Sequence, residues 1–215
     1  MRIIFLGAPG SGKGTQAKRL AQKFNLDHIS TGDILRNAIK EQTPLGMKAK
    51  QFMDAGELVP DDVVLGIIKE ELTRRKKGFI FDGFPRTRTQ AEGLETIMSE
   101  LGLSISKVVN LVDVPDEMIV SRLEARRLCR NCGQEYNLKA RPAIKEGICD
   151  ICGGELYRRP DDTAEVINNR LTVYREKTKP IENYYRSKGV LVEVDGGRGF
   201  DEVFNAISKA VADPK

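Results

Sequence analysis

Short apolar runs alternate with longer amphipathic stretches along this chain. Arg2–Leu6, Asp27–Ser30, Phe79–Phe81, Lys107–Val114 and Val190–Val194 predict strands. Their apolar positions are continuous, as in parallel strands covered by helices on both faces. Between them, Gly14–Phe24, Asp61–Lys76, Arg88–Leu101, Pro115–Arg126, Thr163–Ser187 and Phe200–Val211 carry helical spacing or helix-start signals such as Pro60-Asp61-Asp62. Strand and helix in alternation predict an α/β fold, a doubly wound core around a five-stranded parallel sheet.

Two stretches interrupt the alternation. Residues 30–59 carry two short helical patterns split by Thr43-Pro44-Leu45-Gly46, and residues 126–163 carry all four cysteines with glycine-rich corners. Each is too small for an independent domain, so both read as insertions into one core spanning 1–215. Ligands on such sheets bind beyond the carboxyl ends of the strands, which makes the insertions candidate mobile covers.

The first strand runs into Gly7-Ala8-Pro9-Gly10-Ser11-Gly12-Lys13-Gly14-Thr15. A strand feeding a glycine-rich turn and then a helix lets backbone N–H groups converge on phosphate oxygens, with the helix dipole and Lys13 adding positive charge. The core is therefore of the P-loop NTPase type. Gly14 stands where the general motif has the Ser or Thr that holds magnesium, and Thr15 follows one residue later. Two further segments fit phosphate chemistry. Ser30-Thr31-Gly32-Asp33-Ile34-Leu35-Arg36 sets a hydroxyl and an arginine about one and a half helical turns apart, a possible anion grip, although Thr31 also suits a helix cap. Asp82-Gly83-Phe84-Pro85-Arg86 with Gln90 follows a buried strand, so it should emerge at the same sheet edge as the loop. There Asp82 suits magnesium and its waters, Arg86 a phosphate clamp and Gln90 a base edge. His28, the single histidine, reads as structural.

The 215 residues are 40% hydrophobic and 31% charged, an ordinary globular balance, and the net charge of +4 fits small anionic ligands as readily as nucleic acid. The opening apolar stretch is too short for a secretory signal or membrane span, so a cytoplasmic protein without membrane association is expected. Cys129-Arg-Asn-Cys132 and Cys149-Asp-Ile-Cys152 are two CxxC pairs with sixteen residues between them. In a reducing compartment that spacing reads as a tetrahedral, structural metal site before it reads as disulfides, and four thiolates suit zinc and iron alike.

The segments GAPGSGKGT, STGDILR and DGFPRT with Gln90, together with Arg158-Arg159-Pro160-Asp161-Asp162, closely resemble adenylate kinases in order and across essentially the whole chain. The length resembles the long-lid bacterial type, and the cysteines its zinc-bearing subgroup. The resemblance implies that Gly10, Ser11, Gly12, Lys13, Gly14 and Thr15 wrap the ATP phosphates, with Arg126, Glu135, Tyr136 and Arg198 completing the ATP site. It implies AMP contacts from Thr31, Arg36, Glu57, Leu58, Val59, Gly83, Phe84, Pro85, Arg86, Gln90, Arg159 and Arg170. Lys13, Arg36, Arg86, Arg126, Arg159 and Arg170 would share the charge of the transferred phosphoryl group. Asp82 would hold Mg2+ through water, Cys129, Cys132, Cys149 and Cys152 would hold Zn2+, and Asp161 and Asp162 would set lid arginines or the hinge. The Gly14-Thr15 departure is itself the family's form. ATP, AMP and ADP are the implied partners, and a monomer is the family expectation.

Two other readings compete. A kinase for a different nucleoside monophosphate shares every motif except the base contact. A nucleic-acid-binding ATPase switch would use the cysteine segment and Arg122, Arg126, Arg127, Arg130 and Arg141 on a phosphate backbone. That segment offers only Tyr136 and Tyr157 for stacking, and its basic residues alternate with acidic ones.

Overall fold

The structure, a computed structural model, describes residues 1–212. Strands β1 (Arg2–Gly7), β2 (Asp27–Ser30), β3 (Phe79–Asp82), β4 (Lys107–Val112) and, near the end of the chain, β8 (Leu191–Asp195) form one parallel sheet in the order β2-β3-β1-β4-β8. Alternate side chains point to opposite faces, which splits the apolar residues into two cores. Ile4, Leu6, Phe79, Phe81 and Val108 pack beneath helices α4 (Asp61–Arg74), α5 (Arg88–Glu100) and α8 (Ile181–Ser187). Ile3, Phe5, Ile80, Val109 and Leu111 pack beneath α1 (Lys13–Phe24) and α9 (Phe200–Ala212). This is the doubly wound P-loop architecture, with five parallel strands.

The segment 30–59 folds as two helices, α2 (Thr31–Lys40) and α3 (Pro44–Ala55). Ser30 rather than Thr31 caps α2, its Oγ accepting from Asp33 N at 3.2 Å. Gly46 allows the two helices to touch, since a Cβ there would lie 2.1 Å from Ala38 O.

Beyond α6 (Asp116–Glu124), the lid segment is a three-stranded antiparallel sheet, β6 (Glu135–Asn137) against β5 (Arg126–Cys129) against β7 (Leu156–Tyr157). The helical pattern of Thr163–Ser187 breaks into α7 (Ala164–Val173), a π-helical turn at Tyr174–Thr178, and α8. Pro180 enforces the break, because it lacks the N–H that would continue the ladder. Likewise β4 stops at Val112, two residues short of the apolar run's end, where Asp113 turns to a left-handed φ of 56°. Among the described residues no helix is long and apolar enough to cross a membrane.

Candidate nucleotide site

The carboxyl ends of β1 and β3 open into a cleft of about 470 Å³, lined by the loop before α1, by Asp82, Gly83 and Pro85 at and after the end of β3, and by lid residues Glu135, Tyr136 and Arg141. Gly10, Ser11, Gly12, Lys13, Gly14 and Thr15 all face it, as does Arg198. Gly14 is required by its neighbour: a Cβ there would sit 3.0 Å from Asp82 Oδ2. Glycine at that position lets the loop and the carboxylate approach each other. Lys13 Nζ donates to Gly7 O and Ala8 O at 2.6 Å each, so the ammonium is drawn back over its own loop.

A smaller cavity of about 50 Å³ adjoins the cleft between α2, α3 and the β3–α5 turn, lined by Thr31, Glu57, Leu58, Val59 and Gln90 among others. Arg36, Arg86 and Arg170 line both spaces. Thr31 Oγ1 donates to Gly83 O at 2.9 Å, tying the start of α2 to the turn after β3. Gln90 is buried, its Oε1 accepting from Arg86 N and its Nε2 donating to Asp61 Oδ1, both at 2.8 Å. The structure thus gathers the residues expected from sequence to contact the nucleotides around two joined spaces, apart from Phe84. Its ring is fully buried, 5.3 Å from Phe81 and edge-on, so Phe84 can offer the site only its backbone.

Six cations converge here: Lys13, Arg36, Arg86, Arg126, Arg159 and Arg170. Carboxylates hold four of them in place, while Arg86 Nε donates to Gly83 O at 2.7 Å. Arg126 Nε donates to Asp162 Oδ2 at 2.9 Å, Arg170 bonds Asp161, and Arg36 Nη2 bonds Asp33 Oδ1 at 2.6 Å with Arg159 Nη2 3.7 Å from the same oxygen. Burial pushes Lys13 down to about 8, reinforced by Arg86, Arg126 and Arg170 against the pull of Asp82. Burial likewise brings Arg86 and Arg159 down to about 10, aided respectively by Arg170 and by Arg126. Burial would raise Asp33, but Arg36, Lys18 and Arg159 outweigh it and hold that carboxyl at about 2. Asp82 also stays below the usual carboxylate range despite its burial, because His28 and Lys13 lie beside it. His28 Nε2 is 3.4 Å from Asp82 Oδ2. Lys13, Arg86, Arg159 and Arg170, all lowered chiefly by burial, are poised for added negative charge, since phosphate oxygens would relieve their mutual repulsion, whereas Arg126 is raised by its bond to Asp162 against its burial.

The four cysteine sulfurs lie within 4.8 Å of one another, with Cys129 and Cys152 at 3.4 Å and Cys132 and Cys149 at 3.6 Å. A tetrahedral zinc with sulfurs at about 2.3 Å requires S···S separations of about 3.8 Å, so the donor set fits that ion in number, chemistry and spacing. Each CxxC knuckle closes on a left-handed glycine, Gly133 at φ 68° and Gly153 at φ 71°, whose N–H returns to Cys129 O and Cys149 O at 3.1 and 2.9 Å.

The family model described as "Adenylate kinase" matches residues 5–190. The chain belongs to the adenylate kinase family. It is 54% identical over 209 residues to the adenylate kinase of Thermodesulfovibrio yellowstonii, covering 96% of this chain and 97% of that one. The adenylate kinase of Caldicellulosiruptor bescii is 50% identical over 213 residues, covering 98% and 99%. That of Archaeoglobus fulgidus is 52% identical over 209 residues, covering 96% of each.

Within this adenylate kinase framework, Asp33, Arg122 and Asp61 are side chains to which the sequence assigned no role in nucleotide binding. Asp33 anchors both Arg36 and Arg159, and its only signal is helical spacing, three residues before Arg36. Arg122, in the last turn of α6, donates to Gly196 O at 3.2 Å and to Ser11 O at 3.4 Å, joining the phosphate loop to the turn after β8. Asp61 accepts from both Gln90 and Thr87 across a separation that no local pattern reveals.

Proposed function

We propose that this chain reversibly transfers the terminal phosphoryl group of magnesium-bound ATP to AMP, giving two ADP. One observation carries the reading: Arg36, Arg86 and Arg170 face both the large cleft and the small cavity. A group moving between nucleotides in the two spaces passes under three guanidinium forks, whose geometry matches phosphate oxygens.

In this reading the loop from Gly10 to Thr15 wraps the ATP phosphates, and Lys13 exchanges its loop carbonyls for phosphate oxygens. Arg126, Glu135, Tyr136 and Arg198 border the rest of ATP. AMP sits against Thr31, Glu57, Leu58, Val59, Gly83, Phe84 and Pro85. An AMP phosphate oxygen attacks the γ-phosphorus in line while the bond to the bridging oxygen breaks and its electrons leave with ADP. The protein supplies alignment and positive charge, from Lys13, Arg36, Arg86, Arg126, Arg159 and Arg170, and no nucleophile of its own. Asp82 would hold magnesium through water, and the ion would supply positive charge to the ATP phosphates.

Base choice falls to Gln90. With Oε1 fixed by Arg86 N and Nε2 by Asp61, its amide has one orientation, leaving a lone pair and an N–H to offer. Adenine's Watson–Crick edge presents a matching N–H donor and ring-nitrogen acceptor, whereas guanine reverses both. The segments 30–59 and 126–163 act as covers that close over AMP and ATP and exclude water, which would otherwise take the phosphoryl group. Cys129, Cys132, Cys149 and Cys152 would hold zinc with all four thiolates, and the ion would supply a structural cross-link rather than chemistry on the substrate.

The test is ADP formation from magnesium-ATP with AMP, GMP, CMP or UMP offered separately. ADP with AMP alone is expected. Phosphorylation of another acceptor would move the specificity away from Gln90 and adenine, and no transfer at all would remove the kinase reading.

A further inference from the structure

The phosphate arginines account for one end of the cleft, and a different set of lid contacts closes the other. Arg141 belongs to a turn at the end of β6 that is pinned from three sides. Its N–H donates to Asn137 O at 2.9 Å, its carbonyl accepts from Asn137 N at 3.1 Å, and Asn137 Oδ1 accepts from Lys139 N and Ala140 N at 3.0 and 2.9 Å. From this turn the Arg141 guanidinium reaches across to the core and lies 4.4 Å from the centre of the Phe200 ring. Phe200 opens α9, and its backbone is also held, its carbonyl accepting from Gln16 Nε2 of α1 at 2.9 Å. On the core side Arg19 stacks on Phe204 at 3.9 Å and on Phe200 at 4.9 Å, and is steered there by Asp201 at 2.5 Å.

Arg141 and Phe200 line the large cleft and not the small cavity. The sheet order explains the separation. The small cavity sits above β2 and β3 at one edge, whereas Phe200 follows β8 at the opposite edge. Arg141 is exposed and, among the described residues, no carboxylate pairs with it, so the aromatic face is the partner shown for its guanidinium. A second lid-to-core bond lies close in sequence, from Lys18 Nζ of α1 to Gly133 O at 3.3 Å.

We propose that Arg141 and Phe200 form a latch that holds the lid shut over the end of the cleft remote from AMP, where the base and sugar of the triphosphate nucleotide lie, and that Arg141 is a positioning residue for the phosphoryl donor. This rests on the reading of the large cleft as the ATP site. A phosphate-end clamp responds to any polyphosphate, and both nucleotides contribute to it. The latch belongs to the donor alone, because it closes a wall that AMP does not reach.

The experiment measures KM for ATP, KM for AMP and kcat in Arg141→Gln, Arg141→Lys and Phe200→Leu and in the double variant Arg141→Gln/Phe200→Leu, with thermal melting of each. An exposed cation–π contact predicts a rise of about 2- to 5-fold in KM for ATP in Arg141→Gln. KM for AMP should not change, and Arg141→Lys should recover most of the loss because an ammonium can occupy the same ring face. The double variant should be no worse than the poorer single one, as expected for two halves of one contact. If Phe200→Leu fails to fold, the comparison of Gln with Lys at position 141 still decides. A wild-type KM for ATP in Arg141→Gln, or equal rises in both KM values, would overturn the latch. A wild-type protein that makes no ADP from ATP and AMP would instead overturn the reading of the cleft beneath it.

Discussion

Strands β1 and β5 both border the same cleft and are supported differently. In β1 every residue from Ile3 to Gly7 is buried, between two apolar layers contributed by helices on both faces. In β5 only Leu128 and Cys129 are buried, and the lid's own cluster consists of Cys129, Tyr136 and Cys149 with Ala143 and Leu156 packed against it. The core is held by apolar area, which is distributed and tolerant of polar change at its rim. The lid has too little of that area to fold by burial, and its knuckles, glycine turns and sulfur cluster take over the work. This teaches how one chain can carry a core and a lid with separate sources of stability.

The comparison breaks most severely if the core loses volume. Phe81 is fully buried in the central layer, in contact with Phe79 and Phe84 at ring separations of 4.8 and 5.3 Å. Phe81→Ala should lower unfolding free energy by about 3–5 kcal/mol in denaturant titration while leaving the bound metal content of folded protein unchanged.

Next in size is Lys13→Ala, expected to slow transfer by about 100- to 1000-fold, or about 2.7–4 kcal/mol in barrier, with no loss of melting temperature. The fold disfavours the charged Lys13, so removing it relieves the platform. A large drop in melting temperature with retained turnover would reverse the roles assigned to it.

The smallest effect sharpens the electrostatic side. Lys13 is lowered to about 8 from 10.5, so between those values the unfolded chain holds the proton more tightly and this group's contribution to stability rises with pH. Phosphate binding should raise Lys13 again. At pH 8, ATP binding should therefore take up as much as about half a proton, while at pH 6 Lys13 should contribute almost none. Calorimetry in two buffers of different ionisation enthalpy reads the uptake, and Lys13→Ala should abolish it.

How much of this could be read in the chain follows the same division. Apolar runs such as Ile3-Ile4-Phe5-Leu6 announce core strands because both faces are covered. The lid strands are two to four residues long, too short for any period, and only the cysteine spacing marked the segment. At the site, Lys13, Arg36 and Arg86 were legible because each lies within a contiguous motif. Asp61 was not, because its partner Gln90 is 29 positions away and only the packing of α4 beside α5 unites them. The pinned turn at Arg141 was equally hidden, since Phe200 lies on a different element after the last strand.

The most direct measurement is hydrogen exchange on the protein loaded with zinc and after chelation, read segment by segment, with Cys129→Ser as a second route to the same state. The account predicts that amides of 126–157 lose most of their protection while β1, β3 and β4 keep theirs. Lid protection that survives both chelation and Cys129→Ser would contradict it, and would mean that the lid folds on packing alone.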